Sequence, residues 1–362
     1  MKYINNLLLK FLHKIPPELS HNITIKLLKN GLNSQNFIKN YKNLNVSLGN
    51  INFKHPIGLA AGFDKNAEAF HKIDKLGLSH IEIGTVTPKY QAGRNDKPRV
   101  FRLHQDKAII NRLGFPSKGL SYVNKRLERY KSNIPLGINI GCNKETTDYI
   151  GDYLKLTKNL GHYANWLTIN ISSPNTPGLR NLQTSDILSK LLQTIDNERK
   201  TIENMRGSSL QVWLKISPDL NDKELKKLID TSIQNNIDAL CISNTTIKRP
   251  KDLISNSKLE NGGLSGKPLF SQSTIMLAKA YLYSQNNIKF IGIGGIDSGE
   301  TAYLKILAGA TILQIYTGLV YNGPGMINKI NNELSVKTGS EKLSKIIGSK
   351  ADEIINGNYL ND

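Results

Sequence analysis

A chain of 362 residues with 39% apolar content and no low-complexity tract has ample material for a core, either as two domains or as one large α/β barrel. Its net charge of +19, from 48 Lys and Arg against 29 Asp and Glu, fits a polyanionic neighbour (nucleic acid or an anionic membrane surface) or equally a lysine-rich composition spread along the chain. The two cysteines, Cys142 and Cys241, sit in apolar runs without metal-ligand spacing, which excludes a disulfide framework and predicts small buried side chains in a reducing compartment.

The first 33 residues stand apart. Ile4, Leu7, Leu8, Phe11, Leu12 and Ile15 follow the spacing of one helix face; Pro16 and Pro17 interrupt it; Leu19, Ile23, Leu27 and Leu28 then define a second helix. Lys10, Lys14, Lys26 and Lys29 lie between these apolar positions, so the spacing predicts a basic amphipathic helical hairpin. Such a hairpin can lie on a membrane interface or pack on its own domain, and amphipathicity does not separate the two. No run reaches the roughly 18 apolar residues of a spanning helix. Neither a signal-peptide cleavage site nor a transit-peptide pattern is readable, so the chain is expected to stay on the cytoplasmic side.

From residue 34 onward short apolar runs recur, at 55–61, 80–86, 135–141, 166–172, 211–217, 238–244, 289–295 and 311–318. Each is strand-length, rich in β-branched residues and ends in Gly, Ser, Asn or Thr, and most are separated by helix-like segments such as 222–236. Continuous apolar strands alternating with helices indicate a parallel sheet covered on both faces. Eight of them predict an α/β fold of the (β/α)8 TIM-barrel type over 34–362, with a doubly wound open sheet as the alternative.

In a barrel the chemistry gathers at the C-terminal strand ends. Those positions hold Lys65, Thr85, Asn139, Asn170 with Ser173, Lys215, Ser243 with Asn244 and Thr245, Gly294 with Gly295, and Tyr316 with Thr317. The glycines of "GIGGI" (292–296), "YTG" (316–318) and "GGLSGKPL" (262–269), the last read as a loop, would let backbone N–H groups approach a phosphate. The loop "NISSPNTPGLR" (170–180) leaves strand 4 through polar residues stiffened by Pro174 and Pro177, which a turn alone explains only in part. No His/Cys/Asp/Glu cluster suits a metal and no Ser-His-Asp arrangement is readable, so a phosphorylated organic cofactor would have to supply the difficult chemistry.

Ten segments in order over roughly 50–325, among them "GLAAGFDKNAE", "IEIGTVTP", "NRLGFPS", "GINIGCNK", "NISSPNTPGLR", "LKISPDL", "SNTT", "IGIGGI" and "QIYTG", resemble the dihydroorotate dehydrogenase family. Serine at 173, where the soluble class has cysteine, and the N-terminal extension resemble the membrane-associated, quinone-dependent class. Phe63 in place of the usual leucine, "FPS" at 115–117 and an extra residue near 92–99 are mild departures. The resemblance implies FMN as cofactor, held by Ala61, Gly62, Phe63, Asp64, Lys65, Thr85, Asn139, Asn170, Lys215, Ser243, Gly266, Gly295, Tyr316 and Thr317. It implies substrate contacts at Lys65, Asn111, Arg112, Leu113, Gly114, Phe115, Asn170, Asn175, Asn244 and Thr245, with no metal. Ser173 would remove the C5 proton of dihydroorotate as its C6 hydride passes to N5 of FMN, giving orotate, the fourth step of pyrimidine synthesis. A membrane quinone would be the final acceptor, at the cytoplasmic side of the inner membrane, with the hairpin against anionic lipid and no nucleic acid bound. The other readings are a flavin barrel acting on tRNA, which would use a cysteine acid and an appended RNA-binding domain; a phosphate-binding barrel without catalysis; and a soluble family member using fumarate or NAD.

Overall fold

The computed structural model describes residues 2–31, 39–172 and 186–359. Eight parallel strands close into a barrel in sequence order: β1 (Ile57–Leu59), β2 (Ile81–Val86), β3 (Leu136–Ile140), β4 (Trp166–Asn170), β5 (Gln211–Lys215), β6 (Ala239–Ile242), β7 (Lys289–Ile293) and β8 (Ile312–Ile315). Each lies inside one of the eight expected runs, shortened at the ends where the chain leaves the ladder for the turns of the mouth. Helices on the outside cover the strands, which explains why these read as near-continuous apolar runs. The register sets Asn170 beside Lys215, and Lys215 beside Cys241.

Local signals mark the helix boundaries. Asn221 precedes helix Asp222–Gln234 and accepts from the Glu224 N–H at 3.0 Å, while the Glu224 carboxylate accepts from the Asn221 N–H at 2.9 Å, a reciprocal capping box. A strand pair, Val46–Leu48 and Ile51–Phe53, closes the N-terminal end of the barrel. The Gln211 amide donates to the Leu48 carbonyl at 2.6 Å, Phe53 packs edge-on against His80 and Trp166, and Trp166 stacks on Trp213 at 4.2 Å. Cys142 and Cys241 are fully buried, and burial pushes both thiols up, Cys142 to about 12.

Two additions border the open end. Strands Val100–Leu103, Ala108–Asn111 and Gly263–Gly266 form a small antiparallel sheet, so the first half of the segment 262–269, expected as a loop, is a strand paired with Ala108–Asn111, and Lys267–Leu269 is a short 3-10 turn. Helices α1 (Lys2–Lys14) and α2 (Pro17–Lys29) form the expected hairpin beside it. The Arg102 guanidinium donates to the carbonyls of Leu12, His13 and Ile15 at the end of α1, and Arg99 pairs with Glu18, whose carboxyl it holds below its usual value. Leu12, Ile25 and Leu28 are buried, whereas Leu7 and Phe11 are 67% and 54% exposed. The hairpin therefore docks by one side and leaves an apolar face uncovered. Among the described residues no helix is long and apolar enough to cross a membrane.

Candidate active site

A cavity of about 850 Å³ opens at the C-terminal strand ends and continues between the hairpin and the small sheet. Its floor includes Thr85, Asn170, Lys215, Ser243 and Asn244, each carried by a strand end or by one of the two residues just past it. Ala61, Gly62, Phe63, Lys65, Thr245, Gly266, Gly295, Tyr316 and Thr317 line its walls, as do Asn111, Leu113, Gly114 and Phe115. Its outer part is apolar, with Leu8, Leu12, Leu19 and Ile23 of the hairpin.

Asn139 does not border the cavity; it lies one layer below, where its Oδ1 accepts from the Thr85 hydroxyl at 2.6 Å and the Asn170 amide at 3.0 Å. Asn170 Oδ1 accepts in turn from the Ser172 hydroxyl at 3.1 Å, and the Asn244 amide donates to Ser172 Oγ at 3.0 Å. These side chains form one connected network, which holds their orientation without solvent. Arg112 also lies off the cavity: its guanidinium pairs with Glu260 at 2.6 Å and rests on the Phe101 ring. Asp64 borders the cavity, yet its carboxylate oxygens accept from the backbone N–H groups of Glu68 and Ala69 at 2.7 and 2.8 Å, so it organises the turn after β1. Burial nevertheless holds the Asp64 carboxyl above its ordinary value. Ser173 and Asn175 lie outside the described residues.

Burial pulls the Lys65 ammonium down to about 8, against the opposing pull of Asp64 and Glu18; its Nζ donates to the Gly62 carbonyl at 2.5 Å. His21 of α2 packs edge-on to Phe63, and burial, assisted by Lys65, takes its imidazole down to about 3. Phe63 meets the Tyr316 ring at 5.8 Å, which makes an aromatic wall on the hairpin side.

A second, smaller cavity of about 80 Å³ shares Gly266, Gly295 and Gly318 with the first and adds Lys107 and Lys267. Gly266 has φ +98 and its missing Cβ would run into the Lys107 carbonyl; Gly295 has φ +73 and would strike Phe270. Only glycine fits both positions, and the backbone there comes close to the cavity beside two cationic side chains. Amides, hydroxyls, a buried ammonium and this cationic corner fit a phosphorylated heterocycle. Among the described residues no cluster of His, Cys, Asp and Glu would hold a metal.

Buried ionisable residues that were not anticipated include Glu82 and Lys305. Glu82 in β2 is fully buried and accepts from four side chains. Lys305, behind β7, donates to Ser273 Oγ at 2.6 Å and is pushed far down by burial. The readable signal for Glu82 was a lone acid inside an apolar strand.

Residues 43–337 match the sequence family described as dihydroorotate dehydrogenase. A dihydroorotate dehydrogenase (quinone) of Bartonella tribocorum is 46% identical over 326 residues, 89% of either chain. One of Mesorhizobium japonicum is 42% identical over 347 residues, 96% of this chain and 95% of that one. A solved dihydroorotate dehydrogenase of Eimeria tenella, in complex with ferulenol, superposes with a TM-score of 0.88 at 38% identity, over 92% of this chain and 95% of that one. The chain belongs to the dihydroorotate dehydrogenase family, and its relatives here are of the quinone-dependent class.

Proposed function

We propose, from this family membership, that the chain oxidises (S)-dihydroorotate to orotate with FMN as the immediate and a membrane quinone as the final electron acceptor, the fourth step of pyrimidine synthesis. The observation that carries the proposal is the single cavity joining a polar floor at Thr85, Asn170, Lys215 and Asn244 to an apolar passage beside Leu8, Leu12 and Leu19. A polar dihydropyrimidine and an isoprenoid quinone need those two environments at the two ends of one flavin. Residues 1–33 would form the quinone-entry hairpin and 34–362 the catalytic barrel, resting on the cytoplasmic face of the inner membrane. The apolar face of α1 and its lysines Lys10 and Lys14 suit an anionic lipid surface.

FMN, when bound, would supply the hydride acceptor. The residues fit it: Gly266 and Gly295 leave room for its phosphate, and Lys215 lies at the floor where charge would gather on the reduced ring. Lys65 would hold the substrate carboxylate, while Asn111, Asn170, Asn175, Asn244 and Thr245 would orient its ring. Ser173 would take the proton from C5. The test is direct: purified protein should be yellow, release FMN on denaturation, and prefer a long-tailed quinone to fumarate or NAD. Release of FAD, or no flavin at all, would overturn the proposal.

The Lys65 ammonium gives a pH signature. With its value drawn down to about 8, Lys65 is charged below that pH and neutral above it. Because kcat/KM reports the free enzyme, affinity for the anionic substrate should fall as pH rises through 8, approaching about tenfold per unit. Dihydroorotate binding that stays flat from pH 7 to 10 would remove Lys65 from that role.

A further inference from the structure

We propose that Glu82 is a positioning residue whose carboxylate sets the donor–acceptor sense of the side chains flooring the cavity. The inference rests on the flavin reading above and concerns how that floor meets the flavin.

In β2 the side chain of Glu82 points into the barrel, and no part of the residue is exposed. Its Oε1 accepts from Asn139 Nδ2 at 2.8 Å; its Oε2 accepts from Trp166 Nε1 at 3.1 Å, Thr168 Oγ1 at 2.9 Å and Gln314 Nε2 at 2.9 Å. An indole N–H can only donate, and a carboxylate can only accept. With the carboxylate beneath it, Asn139 must turn its NH2 downward and its carbonyl upward. That carbonyl then takes the Thr85 proton and one from the Asn170 amide, which also donates to Thr85 Oγ at 3.1 Å. Thr85 and Asn170 both border the cavity, as does Gln314, whose amide Glu82 also holds. A one-way chain of hydrogen bonds thus runs from the acid at the barrel axis to the floor. Thr85 has spent its proton below and offers the cavity an acceptor, which would suit an N–H donor of a bound heterocycle. Filling the space alone would not call for an acid, because a well-packed apolar side chain does so at lower cost.

Glu82→Gln tests this without changing volume. Its carbonyl can still serve Trp166, Thr168 and Gln314, but its NH2 meets that of Asn139, which must flip and reverse the chain. FMN affinity, read by flavin fluorescence, should fall at least about tenfold, the scale of one mispaired buried group. The flavin midpoint potential should rise as well, since the exchange removes a carboxylate from beneath the cavity floor. Asn139→Asp alone places two acids in contact and should also weaken binding. The double exchange Glu82→Gln with Asn139→Asp restores donor to acceptor at every link, and affinity should return to within about threefold of wild type, a coupling that a double-mutant cycle reads out. A space-filling role predicts the opposite pattern: Glu82→Gln alters the melting temperature at most and leaves affinity and potential as they were, which would overturn the inference. If Glu82→Gln does not fold, the double exchange still decides, since a folded, flavin-loaded double variant supports the inference and an equally unfolded one rejects it. Wild-type protein that binds no flavin would instead overturn the functional reading beneath it.

Discussion

Ser173→Ala is expected to retain FMN yet slow reduction of the flavin by dihydroorotate at least about a hundredfold, the scale for removing a general base. Ser172, the last described residue before it, has its hydroxyl held between Asn170 Oδ1 and the Asn244 amide, beside the polar floor. A serine hydroxyl works as a base only when its surroundings or a water relay take its proton on. The wild-type reduction rate should therefore climb with pH, while the alanine variant shows no such climb. Combined with loss of charge on Lys65 above about 8, the wild-type kcat/KM should pass through a maximum, whereas the limiting reduction rate at saturating substrate should keep rising. Anaerobic stopped-flow traces measure both. Equal reduction rates in the two proteins would end the role assigned to Ser173.

Deleting residues 1–33 is expected to produce the other large effect, and a selective one. All eight barrel strands and the polar floor lie outside the deleted segment, so the protein should remain folded and yellow, with flavin reduction by dihydroorotate near its normal rate. Turnover with a long-tailed quinone should collapse, because Leu8, Leu12, Leu19 and Ile23 no longer line the passage. A small water-soluble acceptor should lose much less. Binding to anionic vesicles should fall as well, and in the intact protein high salt should weaken it by screening Lys10, Lys14, Lys26 and Lys29. The hairpin is also docked, through Arg102 on the end of α1 and Arg99 on Glu18, so the deletion removes real contacts. Leu7→Ser with Phe11→Ser changes only exposed positions and should lower vesicle binding with the melting temperature unaltered. Full-rate turnover of long-tailed quinone by a folded truncated enzyme would show that the hairpin is not the entrance.

The sequence by itself determined what depends on near neighbours. Strands buried on both faces are apolar at most positions, so β1 to β8 were readable as runs and their number as a barrel. One helix was readable as the segment 222–236, and the structure has it at Asp222–Gln234. Position at a strand end was enough to place Thr85, Asn170, Lys215 and Asn244 around one mouth. Direction and partnership were different, because they rest on contacts between residues far apart in the chain. Gly263–Gly266 reads as a glycine-rich loop until it meets Ala108–Asn111, whose backbone satisfies its hydrogen bonds. Arg112 belongs to a segment that otherwise lines the cavity, but Glu260, distant in sequence, draws its guanidinium away. Asp64 looks like a ligand for the mouth, and the N–H groups of Glu68 and Ala69 take both its oxygens. The amphipathic hairpin suited lipid or protein equally, and only the folded chain shows one side docked and an apolar face left open. Glu82 owes its place to Asn139, Trp166, Thr168 and Gln314, which come from three other strands. A buried acid is tolerated only where several donors converge, and closure of the barrel is what brings them together.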